Sequence, residues 1–587
     1  MKIKALASLT ALATVLTACG GGDINVDANS SNVTNVDDSV TVGDNSDVNI
    51  GDGAGGDNIV CAEYTKDGVT RSGQSDGDNC IYSESFVNFD NPLTESITLR
   101  DIGDGAHIFQ GSLFVGENYD SLDDATAAGI TEGGDGPSLT IAAGVTVAFQ
   151  NTNSFLAVMR GSQIFANGTA AAPVTFTSEA DVNGGVGPED VQTWGGMILN
   201  GFGFTNACEY EAGWDQTGTD DPVLAVGTPC SIRQEGTEGE TANHYGGTNI
   251  DDNSGILRYV VVKHAGFDLL PGDELNGINF GAIGSGTTLE NIEVYSNSDD
   301  GVEFFGGNVD LTNYVAMYVR DDSIDIDQGY YGTITNALVI QGGAVGEPTK
   351  TGAHCVESDG SASSTKAQNI ANGYTSKAVI NNLTCIISAK GPGVANNGDP
   401  GAGINAEEAH HLTLNGAIVT TAYTADALTD GNGEAIAAGS LDFTNYCFQL
   451  EDSEDLENAG NGLININTSV FACHDISANK DRDADITLTA GTVYGAISGQ
   501  AFLEAQDNVV ATMLADDGST PPNAGDYVIL DGFYSVPVAD MIVDGAAVSF
   551  DDASATSIGA VSADSDWTAG WTYGLHADNR GQALWFE

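Results

Sequence analysis

The sequence predicts an all-β chain wound as a parallel β-helix with about 22–23 residues per coil and a C-terminal cap region, and three observations point there. The chain holds 76 glycines and many short β-branched runs, with no sustained apolar period of 3.6 residues, so its elements read as strands. So long a run of short strands forms either several sandwiches or one solenoid, and internal repeats decide between them. Leu289-Glu290-Asn291-Ile292, Leu311-Thr312-Asn313-Tyr314 and Ile334-Thr335-Asn336-Ala337 space their asparagines 22 and then 23 residues apart, each opening an alternating apolar strand.

Taken in order, the N-terminus speaks for location. Lys2 and Lys4 precede an apolar run over residues 5–16, and Leu16-Thr17-Ala18-Cys19 resembles a bacterial lipobox, in which Cys19 is lipidated after cleavage. Residues 1–18 are then a lipoprotein signal peptide. Gly20 after the cysteine fits outer-membrane sorting, with the cell surface and the periplasmic face both open. Residues 19–60 form an acidic tether rich in Gly, Asn and Asp, with no Lys or Arg in 20–60 and a flexible reach of roughly 35 Å; a short acidic β-arm is the alternative. No other stretch has the ~18 apolar residues of a spanning helix.

Beyond the tether, residues 61–135 are expected to hold an N-terminal cap and the first coils, 136–481 the β-helix, and 482–587 a C-terminal cap or small appended region. Eight cysteines remain once Cys19 is set aside, and an even count in an oxidising compartment suggests disulfides. Pairing sequence neighbours gives Cys61 with Cys80, Cys208 with Cys230, Cys355 with Cys385 and Cys447 with Cys473, one choice among 105 connectivities. Seventeen basic against 83 acidic residues, a formal charge of −66, exclude nucleic acid as a partner, because phosphate backbones demand cationic surface. Such a surface suits salty water or a cation-rich matrix.

Within the coils, an asparagine at one corner tolerates turn geometry and can bond to its copies above and below. Similar phrases recur at Asn381 and Asn415, and the 45 residues from Asn336 to Asn381 read as two coils. Asp299-Asp300-Gly301-Val302-Glu303-Phe304 and Asp321-Asp322-Ser323-Ile324-Asp325-Ile326 repeat at an offset of 22. One coil apart, Asp299 lies beside Asp321, Asp300 beside Asp322 and Glu303 beside Asp325, at about 4.8 Å. Strand alternation turns Val302, Phe304, Ile324 and Ile326 inward and the acids outward. Unit charges about 5 Å apart repel by roughly 3 kcal/mol at an effective dielectric of 20, so three pairs cost on the order of 10 kcal/mol. Such a ladder calls for a divalent ion, protons or compensating donors, unless the side chains splay into water. Calcium fits the oxygen-only ligand set, six to eight oxygens from carboxylates, carbonyls and water. The expected metal site is Asp299, Asp300, Glu303, Asp321, Asp322 and Asp325.

Several phrases are more idiosyncratic: Arg160-Gly161-Ser162-Gln163-Ile164, Ala166-Asn167-Gly168-Thr169, Pro173-Val174-Thr175-Phe176-Thr177-Ser178, Trp194-Gly195-Gly196-Met197-Ile198-Leu199 and Gly255-Ile256-Leu257-Arg258-Tyr259-Val260. With Asp300-Gly301-Val302-Glu303-Phe304-Phe305-Gly306-Gly307 and Asp566-Trp567-Thr568-Ala569-Gly570-Trp571, the chain resembles secreted or lipid-anchored right-handed parallel β-helix proteins of the pectin-lyase-like kind, common in marine Proteobacteria and Bacteroidetes. The resemblance covers most of residues 140–575 and implies fold and address more than chemistry. Asn297-Ser298-Asp299-Asp300 followed by Asp321-Asp322 is also similar to the stacked aspartate phrases of polygalacturonase-type glycosidases, which would make Asp299, Asp300, Asp321 and Asp322 catalytic. That family's Gly-His-Gly and Arg-Ile-Lys phrases are missing, with only Gly352-Ala353-His354 nearby. Pectate-lyase-like chemistry would use calcium and a basic residue, for which Arg320 is the neighbouring candidate or else a charge partner.

Weaker groups complete the reading. Glu407-Glu408-Ala409-His410-His411 could hold a transition metal but reads as a polar loop, and Gly281-Ala282-Ile283-Gly284-Ser285-Gly286 reads as a turn because no helix follows it. Trp567, Trp571 and Trp585 are expected to seal the solenoid end, with sugar stacking as the alternative, and residues 501–511 read as helical. Together these features describe a lipid-anchored outer-membrane or cell-surface β-helix that binds calcium and serves adhesion, structure or glycan binding, its partner a polysaccharide or extracellular matrix. The alternative is a polysaccharide-degrading hydrolase or lyase.

Overall fold

A computed structural model describes residues 59–216, 219–237, 242–268, 275–342, 352–362, 364–388, 402–420, 446–473, 475–477, 486–487, 493–494, 499–511, 534–543, 546–552, 554–562 and 564–584. Cys19, Trp585, the signal peptide and nearly all of the tether lie outside them. The chain is a parallel β-helix. One sheet stacks ten strands, each parallel to its neighbours, from Leu113–Val115 through Leu156–Val158, Met197–Asn200, Ile278–Gly281, Val302–Phe305, Ile324–Asp327, His354–Asp359, Ala402–Glu407 and Tyr446–Leu450 to Asp475–Ser477.

A second sheet is built around the longer strands Gly255–Lys263, Thr288–Tyr295, Leu311–Met317, Thr333–Ile340 and Val379–Ile386, again stacked in parallel. Each bends where a residue takes the left-handed conformation: Tyr259, Asn291, Asn313, Asn336 and Asn382, at φ 50–62°. Asparagine tolerates that conformation because its short polar side chain bonds locally. Here it bonds along the stack: Asn336 Nδ2 donates to Asn313 Oδ1 and Asn382 Nδ2 to Asn336 Oδ1, both at 2.9 Å. The expected corner ladder is therefore present, with Asn382 rather than Asn381 in the column.

One expectation about spacing is corrected. Thr333–Ile340 pairs directly with Val379–Ile386, so the interval from Asn336 to Asn381 is one coil and not two. The added length is taken up by an excursion that includes the helix Lys366–Asn372.

Inside, alternate residues form continuous apolar columns. Val302, Phe304, Ile324 and Ile326 are fully buried, and Phe304 stacks between Phe280 (5.1 Å) and Tyr330 (4.4 Å). Burying each such side chain contributes roughly 1.5–3 kcal/mol. The structure contains the four disulfides expected from sequence neighbours. Cys355–Cys385 and Cys447–Cys473 each tie a strand of the first sheet to the second sheet's side of the coil through the core. Cys208–Cys230 closes part of the excursion that leaves after Asn200 and returns at Gly255.

Toward the C-terminus the structure departs from expectation. Only Gly499–Glu504 is helical in the 501–511 region, because Asn508–Val510 joins the stack in parallel with Ser469–Ala472. Trp567 and Trp571 do not seal an end of the solenoid. Their segment lies along the outer face of the long strands, where Ala560, Val561, Leu575 and Leu584 cover Tyr295, Val315, Met317, Leu338 and Ile340. Trp571 packs on Tyr259 and is buried, which leaves it no free face for a sugar ring. Among the described residues no helix is long and apolar enough to cross a membrane.

Candidate metal centre

The acidic phrases sit where each coil passes from the second sheet into the first. Strand register places Glu303 beside Asp325 and Asp325 beside Glu357, and Glu357 in turn beside Asn405. Gly301 N donates to Asp322 O at 2.8 Å, setting the Asp299-Asp300 turn against the Asp321-Asp322 turn. All six expected metal residues, Asp299, Asp300, Glu303, Asp321, Asp322 and Asp325, line a single cleft of about 410 Å³. Alternation along the strands points Glu303 and Asp325 away from the core, yet Asp300, Glu303 and Asp322 are buried, and Glu235 from the excursion over residues 201–254 lines the same cleft.

Four carboxylates outside the expected six, Glu235, Glu357, Glu407 and Glu451, also line the cleft, along with His354 and Asn405. A signal for some of them exists in the sequence. Val302-Glu303-Phe304, Ile324-Asp325-Ile326-Asp327, Val356-Glu357-Ser358-Asp359 and Ile404-Asn405-Ala406-Glu407 share one alternation, but insertions stretch the later steps far beyond 22 residues. Glu235 has no such signal, since it comes from outside the coils. No Lys or Arg is among the described residues that line the cleft.

The turn column is held by backbone donors. Asn276 Oδ1 accepts from Asp300 N (3.1 Å), Asp300 Oδ1 from Asp322 N (2.9 Å), and Asp322 Oδ1 from His354 N (2.6 Å). Each polar side chain thus accepts the amide of the next coil, which fixes its position and leaves the charge in the cleft. Asn276 also donates to Glu303 Oε2. Asp325 Oδ1 and Asn405 Oδ1 are buried oxygens that accept no hydrogen bond.

Crowding and burial dominate the proton affinities. Burial, then Asp299, Asp325, Asp322 and Asp321, hold the Asp300 carboxyl well above its ordinary range. Glu303 is raised by burial, Glu235 and Asp325, and Asp325 by burial, Glu357 and Asp327. Burial and Asp322 push Glu357 up to about 8, while burial and Glu357 push Glu407 to about 8. Asp327, next along the strand, is raised to about 7 chiefly by burial. All these shifts express a site that, without a cation, must hold protons.

Among the described residues, two oxygen-only triads bring one ligand atom from each member within 4.8 Å of the others: Asp299, Asp300 and Asp321, and Asp300, Glu303 and Asp325. Asp300 belongs to both. This donor set fits calcium, which collects six to eight oxygens, and the orphaned Asp325 Oδ1 is an oxygen with lone pairs still to give. Inverting glycosidases keep their carboxyls about 6.5–9.5 Å apart to admit a water, wider than the spacing in these triads. Arg320 donates to Glu189 O at 2.9 Å and does not line the cleft, so it is not placed as a base there.

The remaining candidates serve the fold. His410 is fully buried on Ser358, Glu408 pairs with Lys366 at 3.1 Å, and Glu407 alone of its phrase reaches the cleft. Residues 281–286 form a tight turn: a Cβ at Gly284 would lie 2.4 Å from Asp252 N.

A family model described as a pectate-lyase like beta helix domain matches residues 126–491. No curated protein matches the chain. Among solved structures, the Dettilon tailspike protein (gp208) is similar at 9% identity, over 67% of this chain and 66% of that one, with a TM-score of 0.17, too low to carry an argument.

Proposed function

We propose that this chain, which belongs to the pectate-lyase-like β-helix family, is a calcium-binding surface protein of adhesive or structural type, held to the outer membrane through Cys19. One observation carries the ion reading: ten carboxylate side chains line one cleft, with no lysine or arginine among the described residues around it. At separations of about 5 Å each unscreened pair costs roughly 3 kcal/mol, so at neutral pH the cleft is stable only with protons or cations in it. Calcium supplies the missing charge without asking for tight octahedral geometry.

The same charge speaks for the partner. An acidic cleft repels an anionic polysaccharide unless cations intervene, so glycan or matrix binding should depend on calcium. The lipobox-like Leu16-Thr17-Ala18-Cys19 and the acidic tether over residues 19–60 support display away from the lipid surface. The test uses the full chain with a panel of polysaccharides, in calcium and in chelator. Calcium-dependent retention without release of reducing ends or unsaturated uronides is expected. Release that disappears in both Asp300→Asn and Asp322→Asn would instead make the protein a hydrolase or lyase.

A further inference from the structure

His354 gives the cleft a nitrogen donor that calcium does not use. Its Nδ1 lies 2.8 Å from Asp322 Oδ1 and 3.7 Å from Glu357 Oε1, and the three residues form a triad whose ligand atoms fall within 4.8 Å of one another. We propose that Asp322, His354 and Glu357 form a second metal position, selective for a transition ion of the zinc class and separate from the oxygen-only triads around Asp300. The assignment stands whether or not calcium fills those triads.

Three features build the site. Its members are held rigidly: His354 N donates to Asp322 Oδ1 at 2.6 Å, His354 and Glu357 share one strand, and that strand is pinned through Cys355 to Cys385. The ring is oriented from its far side, where Nε2 meets Tyr446 Oη at 3.2 Å. Metal-binding imidazoles characteristically engage a polar partner through the second nitrogen in this way; here Nδ1 is hydrogen-bonded to Asp322 Oδ1, and an entering ion would take the place of the proton between them. The third feature is independent of the triad. Asn405 is 2% exposed and lines the same cleft; its Nδ2 approaches Glu357 Oε1 at 3.5 Å, and its Oδ1 accepts nothing. That Nδ2 also meets Glu407 Oε1 and Glu451 Oε2, both at 3.3 Å, so a turned-over amide would present its unbonded oxygen to the carboxylates as an additional ligand or a seat for a metal-bound water.

Ligand chemistry sets the selectivity. Imidazole with carboxylates suits zinc and its neighbours, whereas calcium and magnesium take oxygen almost exclusively. With three protein ligands, a tetrahedral ion keeps one position for Asn405 or water.

The test loads the chelator-stripped full chain with one equivalent of zinc and reads its X-ray absorption fine structure. Imidazole scattering from one histidine per zinc, lost in His354→Gln, is expected; an oxygen-only shell, or an imidazole signal unchanged by that substitution, would overturn the proposal. Zinc affinity should fall at least tenfold in His354→Gln while calcium binding stays as it was. Equal loss of both ions would reduce the two positions to one and contradict the separation. Glu357→Gln, which leaves the imidazole untouched, provides a second variant: zinc affinity should again drop, and unchanged affinity would count against the triad.

Discussion

Two polar ladders run up this solenoid, one of amides at the bend of the long strands and one of carboxylates at the entrance to the other sheet. Both arise the same way, from a residue repeated at the coil interval and stacked in register. Asn313, Asn336 and Asn382 are linked in a column, Asn336 and Asn382 each donating to the copy below. Asp300 and Asp322 borrow a backbone amide from the coil above, and that leaves their charges facing Glu303, Asp325 and Glu357 across a shared cleft. An amide carries donor and acceptor and closes on itself, whereas a carboxylate carries acceptors only. One ladder is therefore complete as a structure. The other is complete only with protons or metal ions, and that incompleteness is what makes it a functional site.

The widest gap between the ladders should open with calcium. Above about pH 8, where Glu357 and Glu407 give up their protons, calcium at a thousandfold excess over its dissociation constant should stabilise the fold by about 4 kcal/mol per ion. Thermal melting in calcium and in chelator reads this directly, and coincident midpoints would mean that the carboxylates are merely solvated.

Next comes the amide ladder. Asn336→Ala removes two hydrogen bonds of about 1 kcal/mol each and puts alanine in a left-handed backbone that costs roughly 1–2 kcal/mol more. Chemical denaturation should show a loss of about 3 kcal/mol with the calcium response intact. Asn336→Gly should recover the backbone share, and no recovery would place the cost elsewhere.

A smaller effect is expected from Asp300→Asn, which keeps the acceptor for Asp322 N but removes a charge common to both oxygen triads. Calcium affinity should fall about tenfold, or 1.4 kcal/mol, while the chelated variant melts no lower than the chelated wild type. A marked destabilisation in chelator would show that the Asp300 charge supports the fold.

The most gradual effect is with pH. Glu357 and Glu407 rise from 4.5 to about 8 and Asp327 from 3.8 to about 7 on folding. Between those limits the native state binds protons that the unfolded chain has released, so its stability in chelator is fully present at the acid end and declines as pH climbs through about 8. Midpoints that rise over this range in chelator would contradict the raised affinities.

How much of this could be read beforehand depended on regular spacing. At 22 and 23 residues the coil interval reveals itself, so the asparagine corner, the inward Val302 and Phe304 and the pairing of Glu303 with Asp325 were legible. Insertions hid the rest. The helix Lys366–Asn372 stretches one coil until it looks like two, and the steps from Asp325 to Glu357 and on to Asn405 lose the period although their alternation persists. Glu235 arrives from an excursion whose place in space no repeat encodes. The need of solenoid ends for covering points the C-terminal tryptophans to an end, but Tyr295, Met317 and Ile340 make the outer face of the long strands apolar enough to need it too.

Calorimetric titration of the chelated full chain with calcium, near neutral pH in two buffers of different ionisation heat, probes the incomplete ladder most directly. Saturable binding with protons released as each ion enters is the expected result, since metal and proton compete for the same carboxylates. Absence of binding at millimolar calcium, or binding that releases no proton, would contradict the assignment of the ion to this cleft.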